Sequence, residues 1–428
     1  MFKIEAQSIG RFDVAVCGGG IAGACAAITA ARKGANVILI ERSGSLGGTL
    51  TEGFMPVILD AENKGGLVKE IYDYLNRFGM TCVKCGDRLD EDGRKLPGRM
   101  VDTEGCKNFF DVTCVEAGVK VLFFSQVSAL NMDGNKIESI LVTTECGNVS
   151  LTSDVYIDAT GNGNVAALAG CAWDCGDPLE KRPSPLSMGA CVVGMPDSLN
   201  GTDSEADKSA YAKILEERGL QVSASQIAVK KLPSFSTWCF SVNFEYDVMP
   251  DDIFALSNAV LRGRTETFHA TDVHRTVDGY ENMYIAFTSS HIGIREGRRI
   301  YGEYRISDDD ILAGRRFEDG ICIVTFAVDV HKLKNDDTTE TTRGYKALPY
   351  HIPYRALVAR DCSNLMLAGR CISGDFYPHA SYRVMGNMAA TGEAAGFAAA
   401  ICSKDSIAPR NFDGKLASEF MAERGYEI

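Results

Sequence analysis

Residues 12–49 read FDVAVCGGGIAGACAAITAARKGANVILIERSGSLGGT, and their order decides the fold. The apolar, valine-containing run 12–17 stops at Gly18-Gly19-Gly20, residues 22–33 form an alanine-rich stretch ended by Gly34, and residues 36–40 (NVILI) form a second apolar run. Short apolar runs bounded by glycine predict buried strands, and the alanine-rich stretch between them predicts a helix, which together make a βαβ unit. Gly18, Gly20 and Gly23 take the G-x-G-x-x-G positions, and Glu41 stands at the end of the second strand. The first glycine permits a tight turn, the second lets the backbone approach a pyrophosphate, and the third lets the helix pack on the strand. The first helical turn, at Ile21 and Ala22, offers free N–H groups and the positive end of the helix dipole to the phosphates. Glu41 can accept hydrogen bonds from both hydroxyls of a ribose, and its charge repels a 2′-phosphate, so FAD or NAD fits and NADP does not.

The rest of the composition agrees with a globular protein. The 428 residues are 45% hydrophobic and 24% charged, enough to bury cores in two domains. A net charge of -13 and the lack of any long Lys/Arg block argue against a nucleic-acid partner. The 15 cysteines are odd in number and irregular in spacing, which predicts a reducing, cytoplasmic setting rather than a disulfide framework. Residues 14–31 are uncharged and approach the length of a membrane span, but the glycines near their start and the strand that follows favour a nucleotide turn, so no membrane partner is expected. Cys82 and Cys85 have C-x-x-C spacing with no second pair at zinc-site distance, so no metal is expected.

Two further segments point to the same cofactor. Residues 119–126 predict a strand, Asp133-Gly134 a hairpin turn, and 136–144 with 148–151 the rest of a small meander, after which residues 154–160 (DVYIDAT) run into Gly161-Asn162-Gly163. This second glycine pattern lacks a ribose-binding acid, because residues 171–181 do not predict a strand. Near the end, residues 364–368 (NLMLA) predict a last buried strand, followed by Gly369-Arg370 and a helix over about 383–402 made largely of alanine and glycine. The N-terminus of that helix, around Gly386, Asn387 and Met388, can stabilise negative charge developing on a flavin ring.

The loop 41–49, with Glu41-Arg42 and Gly47-Gly48-Thr49, resembles the extended loop of glutathione-reductase-like FAD proteins, which favours FAD over NAD. Ala159-Thr160-Gly161 resembles the segment where such chains return to the sheet beside the cofactor, and by the same resemblance the backbone of Val127 would contact the adenine. With REGRRIYGEYRIS (295–307), IPYRALV (352–358), NLMLAGRCIS (364–373) and HASYRVMGNMAATGEAAG (379–396), the chain resembles the FAD-dependent oxidoreductase family of that superfamily, mostly bacterial proteins of unassigned substrate. Residues 185–285 carry no motif of this set.

The expected architecture is α/β: a Rossmann-like FAD-binding domain from residues 1–170 and 355–428, interrupted by a mixed α+β substrate domain over 171–354. Within the insertion, residues 238–244, 283–288 and 321–328 predict strands, and Ser307-Asp308 predicts a helix N-cap. The partner is a small molecule, and a homo-oligomer is compatible with the sequence. His379 and Arg383, at the start of the last helix, are the candidate proton-transfer group and carboxylate clamp, against alternatives of a loop-fixing imidazole and an ion pair. Arg299 is a further candidate for the flavin site or a substrate anion, against a salt-bridged surface. Tyr350, His351 and Tyr354 are candidates for the cleft wall or for the core. No cysteine pair stands in residues 49–56 (TLTEGFMP), which argues against disulfide reduction. The function expected is hydride transfer between a flavin and a small molecule, the alternatives being an RNA-modifying flavoprotein and a non-catalytic FAD-bound redox sensor.

Overall fold

The computed structural model describes residues 5–89, 95–196, 201–202, 205–224, 227–234, 236–333 and 346–428, with backbone alone over 83–89, over 95–99 and at 205. The opening unit forms as expected. Strands β1 (Gln7–Cys17) and β2 (Val37–Ile40) lie parallel, with Val14 opposite Val37 and Cys17 opposite Ile40, and helix α1 (Ile21–Arg32) crosses between them. All four residues of β2 and the last four of β1 are buried, as strands covered on both faces must be.

These strands belong to a seven-stranded sheet. In order it runs Lys120–Leu122, β2, β1, Gly147–Asp158, Lys136–Thr144 and Ser125–Asp133, with Leu365–Leu367 also paired to Gly147–Asp158. The strand expected over 119–126 is broken in two at Phe124, which takes φ 51°. The break is topological: Lys120–Leu122 extends the parallel edge beside β2, and Ser125–Asp133 must leave for the antiparallel meander. Conversely, the runs 148–151 and 154–160 fuse into the single strand Gly147–Asp158. Its first half pairs antiparallel with Lys136–Thr144, and its end pairs parallel with Leu365–Leu367. Residues 171–181 do contain a two-residue strand, Trp173–Asp174, but it pairs with Arg299–Ile300 away from the large sheet and so adds no ribose-binding acid there.

The helix expected from residue 383 is also two elements. Phe376–Tyr382 is a short helix, Val384 is extended, and the long helix Met385–Asp405 follows, buried at every position from Met385 to Ala400. Its small residues explain how it reaches the core: a Cβ on Gly392 would overlap the carbonyl oxygen of Ala22, and one on Gly396 that of Ala26, so the two helices cross with backbones in contact. Gly23 meets Gly18 in the same way.

The insertion builds a four-stranded antiparallel sheet in the order Ala228–Lys231, Trp238–Ser241, Ala190–Val193, Tyr284–Thr288. Helices Glu205–Glu216 and Ile253–His274 close a core of its own around Val192, Leu215, Trp238, Phe240, Ala270 and Met283. Residues between 300 and 352, including Ile300, Ile321, Val324, Tyr350 and Ile352, instead share the core of the large sheet, and Gly320–Val324 pairs with Tyr350–Pro353. Ser307 caps the helix Asp308–Ala313 in a capping box with Asp310.

The helix crossing yields a stability test. An alanine in a helix interior is worth up to about 1 kcal/mol over glycine, whereas overpacking a tight core costs about 1–3 kcal/mol. Because the obstruction at Gly392 is backbone, no side chain can move aside and the steric cost dominates. Gly392→Ala is expected to lower the denaturant midpoint, and an unchanged or raised midpoint would mean that the helices do not touch there.

Candidate active site

The nucleotide turn is shaped for close approach. Gly18 sits at φ +100°, where a Cβ would lie 2.5 Å from the oxygen of Ala159, so β1 and the Ala159-Thr160-Gly161 turn meet backbone to backbone. Gly20 faces open space, with no atom within 4 Å of where its Cβ would be, and it caps α1 with no side chain. The first N–H groups of α1, at the buried Ile21 and Ala22, therefore point into a cradle that a larger residue at 20 would fill. The Gly47-Gly48-Thr49 loop lies against it, with Gly47 bridged to Gly20.

Glu41 is buried and already engaged. Its Oε2 accepts from the Gly19 N–H at 2.6 Å, and its Oε1 accepts from the Ser43 N–H and hydroxyl, each at 2.7 Å. A carboxylate offers about four lone-pair directions, so Glu41 holds the turn in shape and retains capacity for a ribose. Asp158 does similar work for the second turn, accepting from Thr160 N at 3.0 Å, Thr160 Oγ1 at 2.7 Å and Ala166 N at 2.9 Å. Gly369, at φ +85°, donates to Thr391 Oγ1 at 3.0 Å, and Val127 is buried on the meander strand beyond Phe124.

Positive charge gathers in this crevice although the chain as a whole carries -13. Arg370 donates to the carbonyl of Ile294 and lies against Gly161, where only a glycine leaves it room. Burial first, and then the charges of Arg383 and Arg42, pull its pKa down to about 10. Arg42 is exposed and has no ion pair among the described residues. His291, from the insertion, is held below its ordinary value by burial and by Arg42, and its Nε2 is buried without a partner. A pyrophosphate would relieve this repulsion.

At the start of the long helix, Asn387 is fully buried and neither its amide nitrogen nor its amide oxygen has a partner. A buried amide without bonds costs about 1–3 kcal/mol, and the helix has no capping side chain at Val384. The donor and acceptor of Asn387 match the pyrimidine edge of a flavin, which presents both. Its neighbours differ: Gly386 donates to Leu59 O at 3.0 Å and is packed against Asp60, and Met388 donates to Val384 O at 3.1 Å. Asn387 is thus the side chain of the three left open to the cofactor. These residues fit FAD.

The expected catalytic groups fare differently. His379 is 1% exposed and bonded through Nε2 to the carbonyl of Arg370 at 3.1 Å. That carbonyl can only accept, so Nε2 carries the hydrogen. Burial, then Arg299, Arg383 and Arg370, hold the imidazole well below its ordinary pKa. In this setting His379 is suited to bracing the Gly369-Arg370 turn, with its one N–H already given to a backbone carbonyl. Arg299 is also committed: it pairs with Glu296, donates to Gly176 O at 3.1 Å and lies 3.6 Å from Asp174. Glu296 in turn accepts from Gly176 N at 2.8 Å and Ser184 N at 2.9 Å. This buried pair closes the stem of the insertion on itself, and Nε of Arg299 is buried without a hydrogen-bond partner. Tyr350 and Tyr354 donate to the carbonyls of Pro378 and Pro409 in the core, and His351 accepts from Phe317 N.

Arg383 is buried against the insertion. Its Nη1 donates to Ser184 Oγ at 3.2 Å, its Nη2 donates to Asp329 O at 2.6 Å, and the Asp329 carboxylate is 3.5 Å away. Beside it stand Arg295 and His331. His331 Nε2 lies 3.4 Å from Asp329 Oδ2, and its ring packs on the edge of Phe244. Burial raises the Asp329 carboxyl, but His331, Arg383 and Arg295 outweigh it and hold it far below the usual range. Asp329 and His331 carry no sequence signal: they follow an ordinary strand, and only the fold brings 244, 295, 329–331 and 383 together.

Among the described residues, no helix is long and apolar enough to cross a membrane and no group of three or more metal-binding side chains converges. The side chain of Cys85 lies outside them.

The chain belongs to a family described as FAD dependent oxidoreductase, whose model matches residues 13–421, so it is an FAD-dependent oxidoreductase. No curated protein is significantly similar to it in sequence. Among solved structures, the p-nitrophenol 4-monooxygenase of Pseudomonas putida DLL-E4 matches at TM-score 0.50 and 12% identity, over 97% of this chain and 87% of that one. A geranylgeranyl bacteriochlorophyll reductase-like protein of Thermoplasma acidophilum matches at TM-score 0.48 and 14% identity, over 97% and 82%. The first likeness shows a shared Rossmann-like FAD-binding fold.

The open amide of Asn387 can be separated from a packing role. Asn387→Leu removes a buried group that has no partner, so the FAD-free protein is expected to melt at the same temperature or higher. FAD retention on dialysis is expected to weaken about 10-fold, the worth of one or two hydrogen bonds. Unaltered retention would mean that Asn387 does not touch the flavin.

Proposed function

We propose that this protein moves a hydride between FAD and a small molecule held between the large sheet and the insertion, with His331 exchanging the accompanying proton. The observation that carries the reading is the meeting of Arg383, Arg295 and the His331–Asp329 pair just ahead of the helix whose first turn carries Asn387. When bound, FAD supplies the two-electron donor or acceptor.

Each group has a defined task. Nε2 of His331 lies 3.4 Å from Asp329 Oδ2, near enough for the carboxylate to orient the ring and favour a hydrogen on Nε2, and Nδ1 has no partner among the described residues. Burial first, then Arg295 and Arg383 against the pull of Asp329, hold this imidazole below its ordinary pKa, so it rests neutral and can accept a proton. Its side chain keeps 28% exposure, which gives the proton a route to solvent that His379 lacks. In the oxidative direction the substrate carbon gives up a hydride and the attached hydroxyl, or the neighbouring carbon, gives up a proton to Nδ1. The reverse reaction returns both.

Two histidine variants distinguish the roles. His331→Asn is expected to keep the bound-flavin spectrum and to slow substrate-dependent flavin reduction by roughly 10²–10⁴, the usual loss with a general base. His379→Ala is expected to lower thermal stability and FAD retention, with any flavin that remains reacting at close to the normal rate. Anaerobic bleaching of the visible flavin band against hydroxy acids, sugars and enoates reads both. If His379→Ala alone abolished reduction while retaining FAD, the assignment would be reversed.

A further inference from the structure

We infer that the molecule taken by this site carries a carboxylate, gripped by Arg295 and Arg383. The inference rests on the redox reading above and adds the chemical class of the substrate.

Arg295 is held in a fixed orientation. Its Nη1 donates to Pro185 O at 2.7 Å and to Ser187 Oγ at 2.8 Å, and the guanidinium lies over the face of Phe244, 4.9 Å from the ring centroid. These contacts fix the plane of the fork and use one of its nitrogens. Nε and Nη2 have no partner among the described residues. Arg383 is fixed in a similar way, by Ser184 Oγ and the carbonyl of Asp329. Two such pre-set planar forks are suited to a carboxylate, which accepts paired N–H bonds in one plane.

Charge balance points the same way. Arg295 and Arg383 are close enough to repel: burial first, and then Arg383, bring Arg295 down to about 10. Among the described residues the negative group facing them is Asp329, which also serves His331. Among the described residues two guanidinium groups therefore share one carboxylate, and the balance there is one negative charge short. Arg42 and Arg370 would hold the pyrophosphate of a bound FAD, so the balance at Arg295 and Arg383 is counted without it. A single additional negative charge restores it. Phe244 and Tyr246, edge to face at 6.2 Å, give the rest of the ligand an apolar wall. A phosphate dianion would overshoot the balance. An anion is also drawn in, since the local field is positive on a protein that is otherwise acidic.

The test uses FAD-loaded protein and needs no turnover. Acetate, succinate and benzoate are titrated against acetamide, succinamide and benzamide, with inorganic phosphate as a separate arm, and binding is read from the difference spectrum of the flavin. Saturable perturbation by carboxylates and not by the amides is expected. Arg295→Gln should weaken it about 10- to 100-fold, the worth of charge-assisted hydrogen bonds, and Arg295→Lys by less. Flavin content and melting temperature are measured for each variant, and Arg383→Gln is read only where both are retained. The wild-type comparison decides even if every variant is damaged. Equal response to acids and amides, no response to any acid, tighter binding of phosphate than of every carboxylate, or an unchanged Arg295→Gln would each overturn the inference. A yellow protein reduced by neutral molecules and indifferent to acids would end this proposal and leave the redox reading standing. Carboxylate binding to a flavin that nothing reduces would do the opposite.

Discussion

The crossing of α1 with the long C-terminal helix sets the position of everything that binds. Gly392 and Gly396 lie on the backbone of Ala22 and Ala26, so the helix axes come closer than side chains would allow. That contact fixes two helix N-termini relative to one another: α1 opens at the pyrophosphate turn, and the long helix opens at Asn387. Between the two glycines, Glu393 is fully buried and takes the N–H of Leu67 at 2.5 Å, the hydroxyl of Tyr426 at 2.6 Å and Arg424 at 3.2 Å. Burial raises its pKa despite these partners. Removing one partner of such a group is expensive, because the charge is left behind without compensation. The helix is thus held both by shape, through its glycines, and by a polar anchor that ties it to the chain's last residues.

The insertion is fastened at points that also border the cofactor crevice. Glu52, just past the Gly47-Gly48 loop, receives the hydroxyls of Ser45 and Ser290, and the neighbouring His291 N–H donates to the carbonyl of Glu52. On the other side, Arg299 and Glu296 close the stem at Gly176 and Ser184. The acidic partners are spent on these joints. Among the described residues they leave a line of cations, Arg42, Arg370, Arg383 and Arg295, with Asp329 as its one carboxylate partner. These cations cluster together in a protein whose net charge is -13. Such a field favours anionic ligands and works on the rate at which they arrive.

The two histidines near this line illustrate how surroundings divide the work. Both are pushed toward neutrality by burial and by neighbouring arginines. His379 spends its N–H on a backbone carbonyl and has no carboxylate partner among the described residues, an arrangement suited to holding a turn. His331 has Asp329 behind it and partial access to solvent, which is the arrangement that lets an imidazole change charge.

The opening βαβ unit, the acid at its end, the return segment Asp158-Ala159-Thr160-Gly161 and the buried last helix were all legible in the amino-acid sequence. These are local patterns, because glycine spacing and apolar periodicity act over one or two turns of chain. The sequence misread elements where long-range pairing overrode local preference: Phe124 breaks a run that looked continuous, and Gly147–Asp158 joins two that looked separate. It offered Arg299 through the family resemblance and His379 through its chemistry beside the last helix, and could not see that Glu296 and the Arg370 carbonyl bond to them. Only the tertiary structure decided that Asn387 is buried without a partner and that residues 295, 329, 331 and 383 meet. A hydrogen bond left unmade and a charge left unpaired are properties of the space between elements, and that space exists only once distant segments have packed.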